Sequence, residues 1–228
     1  MKKNVNLDIH CFYSDVFMAK HLEGVKYTRV YNFPIVDTVE EVPSALIPFD
    51  KMKKYENRAD EFFIHFFLPD ASFERVWKAP ETYIPLMKKF KGCIMPDFSL
   101  YRDMPYPQQI YNCYRNRLLG YIFAKHGIKV LMNLSFSDSR SLDFAIEGIP
   151  LEHVLVVGNL GTIKGTENRD VFHYSLYFCL KKLRPRILIV VGSCTKEITD
   201  YCLTNNIELH SFTPEWDGSF IMKEAFHG

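Results

Sequence analysis

The pattern of hydrophobic and polar positions changes near residue 61. Before it, the order is irregular, and only residues 25–36 have the β-branched and aromatic content of a strand, with Pro34 placing that strand at an edge. After it, short apolar runs recur at 62–68, 92–95, 129–134, 153–157, 186–191 and 207–212. Most of these runs lack polar alternation, so they predict strands that are buried on both faces, as in parallel sheets.

Helical patterns lie between these runs. Residues 107–126 have apolar positions at helical spacing and end at Gly127, while 72–90 should be broken by its prolines. Residues 169–183 and 196–205 are further helices, and Asp70 with Ser72 predicts a helix N-cap. The alternation predicts an α/β fold with a mainly parallel sheet of βα units, and a barrel-like (TIM-like) sheet is favoured over an open doubly wound one. We expect one domain, with an irregular segment at 1–60, the βα core at 61–213 and a tail at 214–228.

Composition narrows the class of protein. The chain has 228 residues, 47% of them hydrophobic, which excludes a disordered chain, and its net charge of +1 argues against a dedicated duplex-DNA binder. Six cysteines without a C-x-x-C pair predict reduced thiols. The N-terminus lacks an apolar signal core, and no run approaches the roughly 18 residues of a membrane span. We therefore expect a cytoplasmic protein without membrane contact.

Ligands of parallel α/β folds bind at the carboxyl ends of the strands, so the residues there are the candidate site. Small and polar residues gather at these ends, although turn formation and helix capping explain many of them. The candidates that follow the predicted strands are Asp70, Asp97, Ser99, Asn133, Ser135, Asp138, Gly158, Asn159, Gly161, Gly192 and Ser193.

Residues 95–105 carry the richest chemistry. Asp97 and Asp103 are candidate catalytic residues, because paired carboxylates can divide acid and base roles or hold a divalent cation. Ser99 and Arg102 are candidate ligand-binding residues beside them. The alternative is that Arg102 simply pairs with one of the aspartates. The identity of any metal or cofactor stays open.

Three neighbouring features could bind an anion. Arg115 shares a helix face with Tyr111 and is a candidate clamp, the alternative being an ordinary charged outer face. The glycine-rich segment 158–166, with Lys164, and the junction at 192–195 could cradle phosphate through free N–H groups. Neither segment matches the P-loop or the dinucleotide-binding pattern. We interpret Cys194 as an ordinary thiol at the start of a helix and His65 as a histidine of the core.

Four segments also carry a family resemblance. They read FFIHFFLPDASFERVWKAPETYI, KGCIMPDFSLYRDMP, QIYNCYRNRLLGYIFAKHGIKVLMNLSF and LDFAIEGIP. Over roughly residues 60–191 the chain resembles an uncharacterised bacterial and phage-borne family, known only as a domain of unknown function. The resemblance implies a phage, prophage or mobile-element setting, and it assigns no catalytic residue.

The leading hypothesis is a phage protein that binds, and could hydrolyse, a phosphorylated small molecule or a nucleic-acid end at the carboxyl rim. An accessory protein that inhibits a host or defence protein is one alternative. A single-stranded nucleic-acid binding protein of replication is another. The sequence leaves the oligomeric state open.

Overall fold

Eight strands of the described chain form one sheet that nearly closes on itself. The computed structural model describes residues 18–160, 165–215 and 218–226. The strands lie in the spatial order β4-β3-β2-β1-β8-β7-β6-β5. They are β1 Ala45–Pro48, β2 Phe63–His65, β3 Gly92–Ile94, β4 Val130–Leu131, β5 Val154–Gly158, β6 Ile187–Val191, β7 Glu208–Pro214 and β8 Phe220–Phe226.

Neighbouring strands are parallel except around β8. An isolated parallel bridge between Asn133 and Val156 joins β4 to β5, with the Leu134 amide donating to the Val156 carbonyl at 2.8 Å. β8 is antiparallel to β7 and to β1, because a short connection at 215–219 replaces a crossover helix. The predicted α/β fold with a mainly parallel, barrel-like sheet is confirmed.

Helices cover the outside of the barrel. Of the predicted helices, 72–90 breaks between Lys78 and Pro80 as expected, but Pro85 lies inside the second piece without ending it. The helix predicted at 107–126 is confirmed. The α-helices are α1 Glu74–Lys78, α2 Pro80–Met87, α3 Tyr106–Lys125, α4 Leu142–Ile146, α5 Thr166–Leu183 and α6 Lys196–Thr204. Short 3-10 helices cover Ala19–His21, Asp70–Ser72 and Ser139–Ser141, and a longer one covers Phe49–Glu61.

The strands separate two hydrophobic layers. One fills the barrel, and the other lies between the barrel and the helices. Phe63 and Phe67 lie in the barrel, each next to a glycine of another strand. A Cβ on Gly92 would lie 2.4 Å from Phe63 and one on Gly158 would lie 2.2 Å from Phe67, so both rings require glycine beside them. Side chains on both faces are buried, which explains why the strand sequences are nearly continuous apolar runs. The interior cluster is Leu46, Phe63, Phe67, Ile94, Leu131, Val154, Val156, Ile189, Val191, Phe212 and Phe220.

His65 lies inside the barrel, as a core histidine should. Its Nδ1 accepts a hydrogen bond from the Phe67 amide at 3.2 Å, and its ring meets the Phe220 ring edge-on at 4.6 Å. Burial lowers the pKa of His65 to about 3, so the ring is neutral. Among the described cysteines, all five are free, in agreement with the predicted reduced thiols, while Cys11 lies outside the described residues.

Residues 37–44 seal the amino end of the barrel. Val39 and Val42 pack against the interior cluster, and the Val39 amide donates to the Val130 carbonyl at 2.9 Å. Glu41 pairs with Lys129 at 2.6 Å and with Lys91 at 3.1 Å, both just before parallel strands. This segment therefore closes the barrel with apolar contacts inside and ion pairs outside.

The predicted strand at 25–36 is wrong. Only an antiparallel bridge between Tyr27 and Pro34 forms there, because Asn32 turns the chain with a φ of +55°. Conversely, β1 lies in the segment expected to be irregular and β8 lies in the expected tail. β1 escaped prediction because it has only four residues and ends at a proline.

Candidate functional site

A cavity of about 600 Å³ opens at the carboxyl ends of β2 to β5, beside α5. Because these strands are parallel, their trailing residues converge there, as the strand-end rule predicts. The cavity is lined by Phe67, Leu68, Pro69, Asp97, Ser99, Leu100, Tyr101, Arg102, Leu134, Ser135, Phe136, Ser137, Val157, Gly158, Leu160, Asn168, Val171 and Phe172.

Asp97 is held in the wall of this cavity by residues that follow β4. Its Oδ1 accepts hydrogen bonds from Ser135 Oγ at 2.5 Å and from Asn133 Nδ2 at 2.9 Å. Within the described chain, no residue hydrogen-bonds Oδ2 of Asp97. That oxygen is therefore the one left for a ligand.

Burial raises the pKa of Asp97 to about 6. The negative charge of Asp70 raises it further, whereas the hydrogen bonds from Ser135 and Asn133 act in the opposite direction. A carboxyl group with this pKa exchanges protons readily near neutral pH, which is the property of a general acid or base.

Asp70 supports the site in a way the sequence did not indicate. The predicted N-cap is wrong, because Asp70 and Ser72 lie within a short 3-10 helix, and α1 begins after Phe73 without a side-chain cap hydrogen bond. Instead, Asp70 Oδ1 accepts a hydrogen bond from Ser99 Oγ at 2.8 Å and one from the Ser99 amide at 3.2 Å. The strand end after β3 offers these two donors to the carboxylate. Asp70 thereby fixes Ser99 in the cavity wall.

Arg102 lies at the cavity between two elements. Its Nη1 donates to Glu167 Oε1 at 3.0 Å and its Nη2 donates to Asn168 Oδ1 at 2.6 Å. Both acceptors belong to the first turn of α5. Arg102 thus pairs across to α5 rather than with Asp97 or Asp103, contrary to the alternative considered from the sequence.

Two other candidates lie away from the cavity. Asp103 is exposed in the turn after β3 and is absent from the cavity lining. Arg115 is buried, forms an ion pair with Glu74, and places its guanidinium 3.5 Å from the centre of the Phe98 ring. The shared helix face of Arg115 and Tyr111 is confirmed, with the guanidinium 5.8 Å from the Tyr111 ring.

The ends of β5 and β6 brace each other. Asn159 Nδ2 donates to the Ser193 carbonyl at 2.6 Å, and the Ser193 amide donates to Asn159 Oδ1 at 2.9 Å. Gly192 has a φ of +126°, and a Cβ there would lie 2.1 Å from Asn159 Oδ1. Of the predicted phosphate loop, Gly158 lines the cavity, whereas Gly161 and Lys164 lie outside the described residues.

Sequence reasoning missed part of the cavity wall. Phe136 and Phe172 pack with ring centres 5.3 Å apart, and Asn168 follows in the first turn of α5. Phe136 lies a few residues beyond the end of β4, and Phe172 lies in α5, the helix that follows β5. The strand-end rule could have been extended to both residues, but an aromatic residue in a helix usually belongs to the core. In the described chain, no cluster of three or more His, Cys, Asp or Glu residues could hold a metal ion. Nor does any described helix have the length and apolar character to cross a membrane.

Comparison with known proteins places the chain in a family. The family described as Domain of unknown function (DUF4417) matches residues 25–211, and the chain belongs to it. The match begins before residue 60 and ends after residue 191, so it is wider than the expected resemblance. No solved structure matches the chain.

Two relatives are encoded by phages. The Gene 1 protein of Mycobacterium phage D29 is 30% identical over 192 residues, which cover 83% of this chain and 69% of the relative. The Gene 1 protein of Mycobacterium phage L5 is 28% identical over 166 residues, which cover 72% of each. The expected likeness to phage-borne proteins is confirmed.

Proposed function

We propose that the cavity at the carboxyl rim binds a small phosphorylated molecule, or the phosphorylated end of a nucleic acid, and that Asp97 exchanges a proton with it in a phage-related setting. One observation carries the proposal. Asp97, a half-buried carboxyl group with a pKa of about 6, lines a cavity of about 600 Å³ at the edge where parallel folds bind ligands. Small-molecule sites typically have volumes of about 300–1,000 Å³.

The cavity wall has the composition of a ligand site. Apolar side chains such as Phe136 and Leu160 form much of it, and a few hydroxyls, an amide and a guanidinium are placed among them. Phosphate is favoured by Arg102 and by the start of α5, where no side chain of the described residues caps the helix N–H groups. Such a helix start favours an anion, because its N–H groups and dipole both point toward the ligand.

Hydrolysis of a phosphoester is the reaction that Asp97 would serve. Protonated Asp97 donates its proton to the ester oxygen as the bond from that oxygen to phosphorus breaks. Water forms the new bond to phosphorus, and the proton it releases restores the carboxylic acid. Because the acid form is needed, the rate should fall as the pH rises above about 6.

The test compares Asp97→Asn with Asp103→Asn, a matched change six residues along that lies outside the cavity. Nucleoside monophosphates and sugar phosphates are screened by thermal shift, and each binder is titrated by calorimetry near pH 6.5 in buffers of different ionisation enthalpy. A bound anion beside Asp97 should raise its pKa, so the wild type and D103N take up protons and D97N takes up fewer. Equal proton uptake in all three proteins, or no binder in the screen, would contradict the proposal.

A second candidate is binding to a host protein. Val30 is 71% exposed, and the side chains of Tyr27 and Ile35 on the same segment are exposed as well. A stoichiometric partner, captured equally by the wild type and by D97N, would favour this function. Loss of the partner from Val30→Ser alone would locate the contact.

A further inference from the structure

Arg102 forms a bridge across the mouth of the cavity. Arg102 belongs to the loop after β3, and its guanidinium donates hydrogen bonds to Glu167 at 3.0 Å and to Asn168 at 2.6 Å, both in the first turn of α5. Its carbonyl accepts a hydrogen bond from Arg140, which in turn pairs with Asp138 after β4. The guanidinium is therefore held by the first turn of α5, and the backbone that carries it is held by Arg140.

The Glu167 carboxylate is the anion that Arg102 binds in this structure. It lies at the N-terminal turn of an 18-residue helix and is paired with a guanidinium that lines the cavity. These are the two features by which proteins bind phosphate. The chain thus supplies its own anionic partner to a guanidinium that lines the cavity.

This internal pair can be exchanged. The Glu167 side chain is 83% exposed and that of Arg102 is 43% exposed. Exposed ion pairs contribute little net stability, because water solvates both charges and the long side chains lose freedom. A ligand that offers Arg102 a stronger partner would displace Glu167 at small cost.

We infer that this partner is a terminal phosphate monoester. A monoester carries a charge near −2 at neutral pH and can bind a guanidinium through two oxygens. A phosphodiester or a carboxylate carries a single negative charge, as Glu167 does. Its pair with Arg102 would therefore be little stronger than the Arg102–Glu167 pair that it replaces. The inference rests on the proposed function and narrows its substrate class to molecules or nucleic-acid ends with a terminal phosphate.

The test uses two probes that differ in charge. Phenyl phosphate is a dianionic monoester, and methyl phenyl phosphate is the corresponding monoanionic diester. Calorimetry at pH 7.5 should show wild-type protein binding the monoester at least tenfold more tightly. Arg102→Gln should reduce that preference to within twofold.

Glu167→Gln should act in the opposite direction on affinity. Removing the competing carboxylate should tighten both probes about threefold or more, because each probe must displace the same carboxylate to reach Arg102. The matched controls are Glu152→Gln and Arg184→Gln, which break an exposed Arg–Glu pair of 3.2 Å away from the cavity lining. They should leave both dissociation constants unchanged.

Three results would overturn the inference. They are equal affinity of the wild type for both probes, weaker monoester binding by E167Q, and no monoester binding at millimolar concentration. If both probes bind equally while proton uptake still depends on Asp97, the cavity remains a binding site and only the terminal-phosphate preference fails. The thermal midpoint of each variant confirms that it is folded.

Discussion

The two ends of the barrel differ in how they treat charge. At the amino end, residues 37–44 cover the interior, and Glu40 and Glu41 pair with basic residues that precede four of the strands. At the carboxyl end a cavity stays open. Its carboxyl group, Asp97, has neutral donors and a nearby aspartate as neighbours in the described chain. At the closed amino end the glutamates are paired with basic residues, whereas at the open carboxyl end no cation among the described residues contributes to the pKa of Asp97.

The consequence appears in the two carboxyl groups. Hydrogen bonding from Lys129 lowers the pKa of Glu41, whereas burial raises the pKa of Asp97. Both ends belong to the same sheet, so the fold does not impose this difference. The raised pKa of Asp97 means that its charged form costs stability at the carboxyl end, a cost that is common in active and binding sites.

The largest expected effect comes from the barrel interior. Phe63→Ala, near the sealed end, should lower the free energy of unfolding by about 3–5 kcal/mol, because it leaves a cavity in a fully buried layer. Phe67→Ala should cost less, because Phe67 already lines the open cavity. Urea unfolding of both variants measures the difference, and equal losses would contradict the contrast between the ends.

Asp97→Asn should stabilise the protein at pH 7–8. The pKa of Asp97 is about 6 in the folded chain, against an ordinary 3.8, so the folded state binds this proton more tightly. Stability from this group therefore falls as the pH rises from about 4 to 6. The variant should gain about 1–2 kcal/mol at pH 7.5 and almost nothing at pH 4, after discounting for partial exposure. Thermal unfolding across this range is the measurement, and a loss of stability at pH 7.5 would contradict the account.

Glu41→Gln should have the opposite sign and a smaller size. The pKa of Glu41 is lowered in the folded state, so its contribution is present above its ordinary pKa and is lost as the pH falls through the lower folded value. The variant should lose about 1 kcal/mol at pH 7, and less in high salt. The matched control is Glu56→Gln, which removes an exposed pair with Lys89 away from the barrel end. If the control costs as much as E41Q, the seal has no special role.

Asp103→Asn should do almost nothing. Asp103 is exposed in a turn, so we expect a change within about 0.5 kcal/mol and unaltered ligand binding. Calorimetry with phenyl phosphate checks the second point. Loss of binding in D103N would mean that the assignment of the acid group to Asp97 is wrong.

The fold followed from the sequence where a segment was long enough to show a period. The β5, β6 and β7 runs, the α3 pattern and the break at Pro80 were predictable, because burial on both faces, amphipathic spacing and proline geometry are local effects. β1 and β8 were not. β1 has four residues and ends at Pro48, and β8 contains Lys223 and Glu224, so neither is a long apolar run.

The site was predictable only in part. The strand-end rule placed Asp97, Ser99, Ser135 and Gly158 together, because parallel strands share one edge. The rule could not predict the contacts of Arg115. Its ion pair with Glu74 joins residues far apart in the sequence, and its position over the Phe98 ring depends on tertiary packing. Nor could the rule show that Asp70 binds Ser99, a contact between residues 29 positions apart.

The most direct test is a titration of the side-chain carboxyl groups by carbon-detected NMR, with assignment of Asp97 through D97N. The account predicts that Asp97 titrates near pH 6, that the pKa of Glu41 lies below its ordinary value, and that phenyl phosphate raises the pKa of Asp97 alone. An Asp97 carboxyl that titrates near 4 and does not respond to phenyl phosphate would contradict the claim that the open end of the barrel is the functional site.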